Sequence, residues 1–120
     1  MIKVLVVDDS GPFRRLLVSV LAGLAQVYEC ADGSAALQTY LRCRPDWILM
    51  DTRMQQCDGF QATAQIVATD PAAKVVIVTD YGGDDLRDAA RRVGACGFVQ
   101  KDNLFELRRV LTASPITPGD

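Results

Sequence analysis

Five short apolar runs punctuate the chain, and each stops abruptly at polar residues. Residues 2–7 form a β-branched and leucine run that ends in Asp8-Asp9-Ser10. A shorter run covers 27–30. Trp47-Ile48-Leu49-Met50, bounded upstream by Pro45, drives straight into Asp51. Val75-Val76-Ile77-Val78 ends in Thr79-Asp80, and Gly97-Phe98-Val99-Gln100 leads to Lys101. The runs over 2–7, broken only by Lys3, and over 47–50 and 75–78 predict strands buried on both faces, and 27–30 and 97–100 are short strand candidates. Between them the period changes from two to about 3.6. After Pro12, which suits a first helical turn, Phe13, Leu16, Leu17, Val20, Leu21 and Leu24 follow one helix face, with Gly23 as its stop. Asp32-Gly33-Ser34 can cap a helix over 35–42 with Leu37, Tyr40 and Leu41 inward. A third helix over 60–68 is stopped by Asp70-Pro71. A fourth over 84–93 keeps Leu86, Ala89, Ala90 and Val93 on one side, between an acidic first turn and a basic last turn, with Gly94 beyond. Asn103 caps a fifth that carries Leu104, Leu107 and Leu111.

Strict alternation of five strands with five helices implies a parallel sheet joined by right-handed crossovers. The expected fold is therefore α/β, a doubly wound (βα)5 five-stranded parallel sheet with helices on both faces, flavodoxin-like. At 120 residues there is room for one domain with a proper core and not for two. Residues 1–113 are assigned to it, and 114–120 read as a polar, proline-containing tail or the start of a linker. Composition, 49% hydrophobic and 23% charged, excludes a disordered chain, and the net charge of −2 argues against direct nucleic-acid binding by this domain. No apolar run approaches the roughly 18 residues of a membrane span, and the amino terminus lacks a signal-peptide layout. The expected location is the cytoplasm, where Cys30, Cys43, Cys57 and Cys96, without a C-x-x-C pair, remain reduced. The absence of histidine removes Ser-His-Asp and Cys-His catalysis and most zinc sites.

In a parallel sheet every carboxyl end points to the same edge. Four of the five strands end there in a chemically capable group: Asp8 and Asp9, Asp51, Thr79, and Lys101. Taken singly, Asp8 or Asp9 could cap a helix, Asp51 could cap a strand, Thr79 could be an ordinary strand end and Lys101 a solvated charge. Together they form a pattern absent from the other loops. Gathering carboxylates is costly, since two unit charges about 5 Å apart repel by roughly 3 kcal/mol at an effective dielectric of about 20. A divalent cation reverses that cost, and an oxygen-only donor set suits Mg²⁺ better than zinc. With an ammonium and a hydroxyl beside a carboxylate nucleophile, the parts amount to a phosphoryl-transfer site.

Val6-Val7-Asp8-Asp9, Met50-Asp51-x-x-Met54-x-x-x-Asp58-Gly59, Val78-Thr79 and Gly94-Ala95-x-Gly97-Phe98-Val99-x-Lys101 resemble the receiver domain of two-component response regulators. The resemblance runs from Ile2 to about Leu111. It implies that Asp51 accepts a phosphoryl group from a phosphohistidine on a sensor histidine kinase or a histidine phosphotransfer protein. It implies Mg²⁺ held directly by Asp9, Asp51 and the backbone carbonyl of Arg53, with Asp8 acting through water. Thr79 and Lys101 would bind the phosphoryl oxygens. As a switch, Thr79 would move toward the phosphoryl group while Phe98, where tyrosine is frequent in the family, turns inward; Phe98 as an immobile core residue is the plain alternative. The output surface, for a partner protein or domain or for a homodimer, would be the face of the fourth helix, fifth strand and fifth helix. Arg53 and Tyr81 flank the path of the attacking water in this family and would tune the lifetime of the phosphate. A signalling domain is implied rather than an enzyme, with self-phosphotransfer and autodephosphorylation as its only reactions.

Three departures qualify the resemblance. Asp80 stands where a small residue is usual, either narrowing access to Asp51 or pointing to solvent; Gln55 replaces a proline, and Asp102 follows Lys101 where many relatives carry proline. Asp80 supports a second reading, a receiver-like interaction module that is not phosphorylated. An aspartyl phosphatase is disfavoured because Arg53 occupies the place of its second acid, and a flavin-binding protein because no phosphate loop follows the first strand. The Lys-Asp pair resembles regulators with a carboxyl-terminal helix-turn-helix, for which no room is expected after Leu111.

Overall fold

The structure, a computed structural model, describes residues 1–55 and 57–112; the expected tail, 114–120, lies outside the described residues. Its strands are β1 (Ile2–Val7), β2 (Ala25–Cys30), β3 (Trp47–Asp51), β4 (Val75–Thr79) and β5 (Gly97–Gln100). The helices that follow them are α1 (Gly11–Val20), α2 (Ala36–Cys43), α3 (Gly59–Thr69), α4 (Asp84–Arg92) and α5 (Phe105–Thr112). All pairings are parallel, in the order β2-β1-β3-β4-β5. The doubly wound α/β fold is thus as expected.

The apolar runs conceal an alternation. Val4 and Val6 of β1 join Leu49, Val76, Val78 and Val99 under Leu17 and Leu21 of the α1 region and Leu107 and Leu111 of α5. Leu5 and Val7 face the other way, with Ile48, Met50, Val75 and Ile77 against Ala36, Tyr40, Ala62, Ile66 and Ala90 of α2, α3 and α4. Because both faces are covered, neither can be polar, and the period of two is invisible in the sequence.

Several local expectations are corrected. The first helix ends at Val20, Leu21 closing it, so that Leu24 lies outside. Leu16 and Leu41 face solvent rather than the core. Each lies about 100° round its helix from a buried neighbour, Leu17 and Tyr40, and that neighbour takes the centre of the packed stripe. A 3-10 turn, Gly33–Ala35, precedes α2, with the Asp32 carboxylate accepting from Ser34 N–H. The second strand starts at Ala25, two residues before the expected 27, where Ala25 N–H still bonds the carbonyl of Leu21. The last helix starts at Phe105, and it is the backbone carbonyl of Asn103 that accepts from Glu106 N–H.

Two glycines are demanded by geometry. A Cβ on Gly59 would sit 1.8 Å from the carbonyl oxygen of Asp51, so only glycine lets α3 start against the end of β3. Gly94 has φ +97°, the left-handed stop expected after α4. No described helix is long and apolar enough to cross a membrane.

Candidate functional site

Strand register builds the site. Val7 pairs with Met50, Asp51 with Val78, and Thr79 with Gln100. The next residues along, Asp8, Asp51, Thr79 and Lys101, therefore stand in one row at the carboxyl edge. The row spans the point where the chain's direction of winding reverses, between β1 and β3, where doubly wound sheets hold their ligands. There a cleft of about 330 Å³ is lined by Asp8, Asp9, Asp51, Arg53, Thr79, Asp80, Tyr81 and Lys101. Every predicted site residue except Phe98 is among them.

Ser10 resolves the capping question for the first acidic pair. Its hydroxyl accepts from Phe13 N–H and caps α1, which leaves the carboxylates of Asp8 and Asp9 free of that task. Asp8 is buried; its carboxylate accepts from Ser10 N–H at 2.8 Å and from Lys101 Nζ at 2.9 Å. Lys101 Nζ also stands 3.4 Å from Asp51 and 4.1 Å from the centre of the Phe13 ring. One ammonium thus serves two buried carboxylates.

The balance shows in the titration of both partners. Burial pushes the Asp51 carboxyl up to about 6; the charge of Asp8 adds to the shift, and Lys101 and the Arg53 backbone N–H only partly offset it. Burial alone would lower the Lys101 pKa, but the Asp8 hydrogen bond and the charges of Asp51, Asp8 and Asp80 reverse this and hold it above the ordinary lysine value. Carboxylate oxygens of Asp8, Asp9 and Asp51 lie within 4.8 Å of one another. Three hard oxygen donors gathered beside a single ammonium fit a small divalent cation. Asp9 is exposed to the cleft, so that side of the cluster is open to water.

Thr79 is wholly buried, and its hydroxyl shares a 3.0 Å hydrogen bond with Thr52 Oγ1 while accepting from Tyr81 N–H at 3.2 Å. Arg53 and Tyr81 cover the mouth together: the guanidinium lies 4.4 Å from the centre of the ring and donates to the phenol oxygen at 3.0 Å. Asp80 lines the cleft but is exposed, a rim position that joins the two orientations considered from sequence. Phe98 lies elsewhere, half-buried in the groove between α4 and β5 with the Arg87 guanidinium 4.7 Å from its ring centre. It is therefore not turned fully inward in this conformation.

Ser10, Phe13 and Thr52 are the lining residues that sequence reasoning missed as site residues. Phe13 counted only as a core residue of α1. Thr52 was readable in principle: extending the Asp51–Val78 pairing by one residue sets it beside Thr79.

The model of the response regulator receiver domain family matches residues 4–112. The chain is 34% identical to the chemotaxis protein CheY of Listeria monocytogenes over 115 residues, covering 94% of this chain and 95% of that one. The solved receiver domain of the putative response regulator NarL from Mycobacterium tuberculosis superposes with a TM-score of 0.82 at 28% identity, covering 94% of this chain and 98% of that one. A chain in the CheX-CheY-BeF3-Mg complex from Borrelia burgdorferi gives a TM-score of 0.84 at 27% identity, covering 92% and 87%.

Proposed function

The chain belongs to the response regulator receiver domain family, and from that premise we propose that Asp51 is its phosphoacceptor. Its role is signalling, and phosphorylation on aspartate is the general property of the family. Receiver domains bind Mg²⁺ at an acidic cluster, and Asp8, Asp9 and Asp51 form such a cluster here. The observation that carries the assignment is the row itself: a buried carboxylate raised in pKa, flanked by an ammonium and a buried hydroxyl at a switch point of the sheet.

In this reading Asp9, Asp51 and the Arg53 carbonyl hold Mg²⁺, with Asp8 acting through water. The ion supplies neutralising positive charge to the carboxylates and to phosphoryl oxygens. An Asp51 oxygen attacks phosphorus, the bond from phosphorus to the donor nitrogen of a phosphohistidine breaks, and an aspartyl phosphate forms. Lys101 Nζ, already between Asp8 and Asp51, turns to the new negative charge, and the Thr79 hydroxyl donates to a phosphoryl oxygen. Hydrolysis by water entering past Arg53 and Tyr81 resets the domain. These two steps on its own aspartate are the only chemistry assigned to it. The donor is a sensor histidine kinase or histidine phosphotransfer protein in the cytoplasm. The output partner, or a second copy of the chain, docks on the α4–β5–α5 face, where Phe98 reports the state of Thr79. Residues 1–113 form the receiver, with 114–120 as tail or linker.

The alternative, an unphosphorylated interaction module, rests on Asp80 at the rim. Incubation with acetyl phosphate separates the two. The proposal expects Mg²⁺-dependent uptake of one phosphoryl group, removed by EDTA treatment beforehand; the module reading expects none.

A further inference from the structure

Thr79 has a single hydroxyl proton, and among the described residues Thr52 Oγ1 is the acceptor placed within reach of it. The Thr79 hydroxyl is wholly buried and has two partners: Tyr81 N–H, which it accepts from, and Thr52 Oγ1 at 3.0 Å. Thr52 is therefore the acceptor in reach. Both residues line the cleft, but Thr52 is 8% exposed and Thr79 wholly buried, so Thr52 has the better access to cleft water for its own proton. The geometry of the shared bond admits either hydroxyl as donor, and the deeper burial of Thr79 favours Thr79 donating and Thr52 accepting. A buried donor left without an acceptor would carry a desolvation penalty of about 1–3 kcal/mol, and no buried side-chain polar atom among the described residues lacks a partner.

We propose that Thr52 is a positioning residue that holds the Thr79 hydroxyl in the resting state and competes with the phosphoryl group for it. The inference rests on the phosphoacceptor reading of Asp51 and adds to it a residue that sets how readily the site engages. When Thr79 donates to an anionic oxygen at Asp51, the Thr52 bond must break, and Thr52 loses a buried partner. Both changes oppose engagement. Valine at this position keeps the shape of threonine but neither accepts nor is stranded, so it favours engagement on both counts.

The test is a titration of the full chain with beryllofluoride in Mg²⁺, read by fluorine NMR of the bound species. Thr52→Val is expected to bind about fivefold more tightly than wild type, the equivalent of one ordinary hydrogen bond of roughly 1 kcal/mol. Thr52→Ser, which keeps the hydroxyl, is expected to restore wild-type affinity. In a Thr79→Val background, Thr52→Val is expected to change nothing, an outcome that a merely structural role for Thr52 would not produce. Equal or weaker binding by Thr52→Val, or a gain that survives in the Thr79→Val background, overturns the latch while leaving Asp51 as phosphoacceptor. Wild-type protein that takes up no beryllofluoride overturns the phosphoacceptor reading itself, and the latch with it.

Discussion

Asp51 and Asp70 are two carboxylates of the same chain in opposite circumstances. Asp70 lies at the far end of the sheet, where its oxygens accept from the Tyr40 hydroxyl and from Ala72 N–H, with Arg44 3.6 Å away. Its pKa is lowered, chiefly by the Tyr40 hydrogen bond. Tyr40 is raised in return, by its own burial first and then by Asp70. Each group there is matched, and the contact pins α2 to the end of α3. Asp51 has more than one demand on too little positive charge: burial and Asp8 raise it to about 6 while Lys101 is shared. A structural carboxylate is surrounded by what its charge needs. The carboxylate at the switch point lacks part of it, and the deficit is what a cation and a phosphoryl group can fill.

That contrast can be broken experimentally, beginning where the effect is largest. Lys101→Ala removes the shared ammonium from two buried carboxylates. In metal-free buffer at neutral pH it is expected to lower stability by about 2–3 kcal/mol in chemical denaturation, with much of the loss recovered in Mg²⁺. Next comes Asp51→Asn, which removes the unmatched charge and should stabilise the metal-free protein by about 1–2 kcal/mol at pH 7.5, discounted because the cleft admits water.

The sign of its pH dependence follows from the raised pKa. Folded Asp51 holds its proton up to about pH 6, whereas the unfolded chain loses it near 3.9. Its favourable contribution is therefore complete below the unfolded value and lost as pH rises through 6. The gain from Asp51→Asn should accordingly disappear by about pH 4, and an equal gain at both pH values would show that charge is not its cause. Asp70 has the reverse sign: its lowered pKa stabilises above the unfolded value and is lost as pH falls through the folded one. Asp70→Asn should lower the melting temperature at neutral pH, and the difference should shrink in acid. The smallest effect belongs to Asp80→Ala. An exposed charge at the rim of the cleft repels an incoming anion weakly through water, so the rate of labelling by acetyl phosphate should rise about two- to threefold. An unchanged rate would leave Asp80 without influence on access.

The sequence disclosed the strand ends best, because a buried parallel strand has an unmistakable apolar run and its terminus is marked by the first polar residue. Asp8, Asp51, Thr79 and Lys101 were legible for that reason, and their convergence followed from topology. Helix faces were read less well: Leu16 and Leu41 fit an apolar stripe yet face solvent, since spacing does not reveal how wide a stripe the neighbouring element covers. Thr52 was missed because its role depends on a lateral pairing, set by register, and not on anything local to residue 52. Arg53 and Tyr81 were identified by resemblance alone. Their stacking across the mouth joins residues 28 positions apart and has no periodic signature.

The most direct test is to identify the residue that carries the phosphoryl group. After labelling by acetyl phosphate in Mg²⁺, borohydride reduction converts an aspartyl phosphate to homoserine, which peptide mass spectrometry can locate. Homoserine at position 51, absent from Asp51→Asn, is the predicted result. Homoserine at position 8 or 9 instead, or none at any position, would contradict the account.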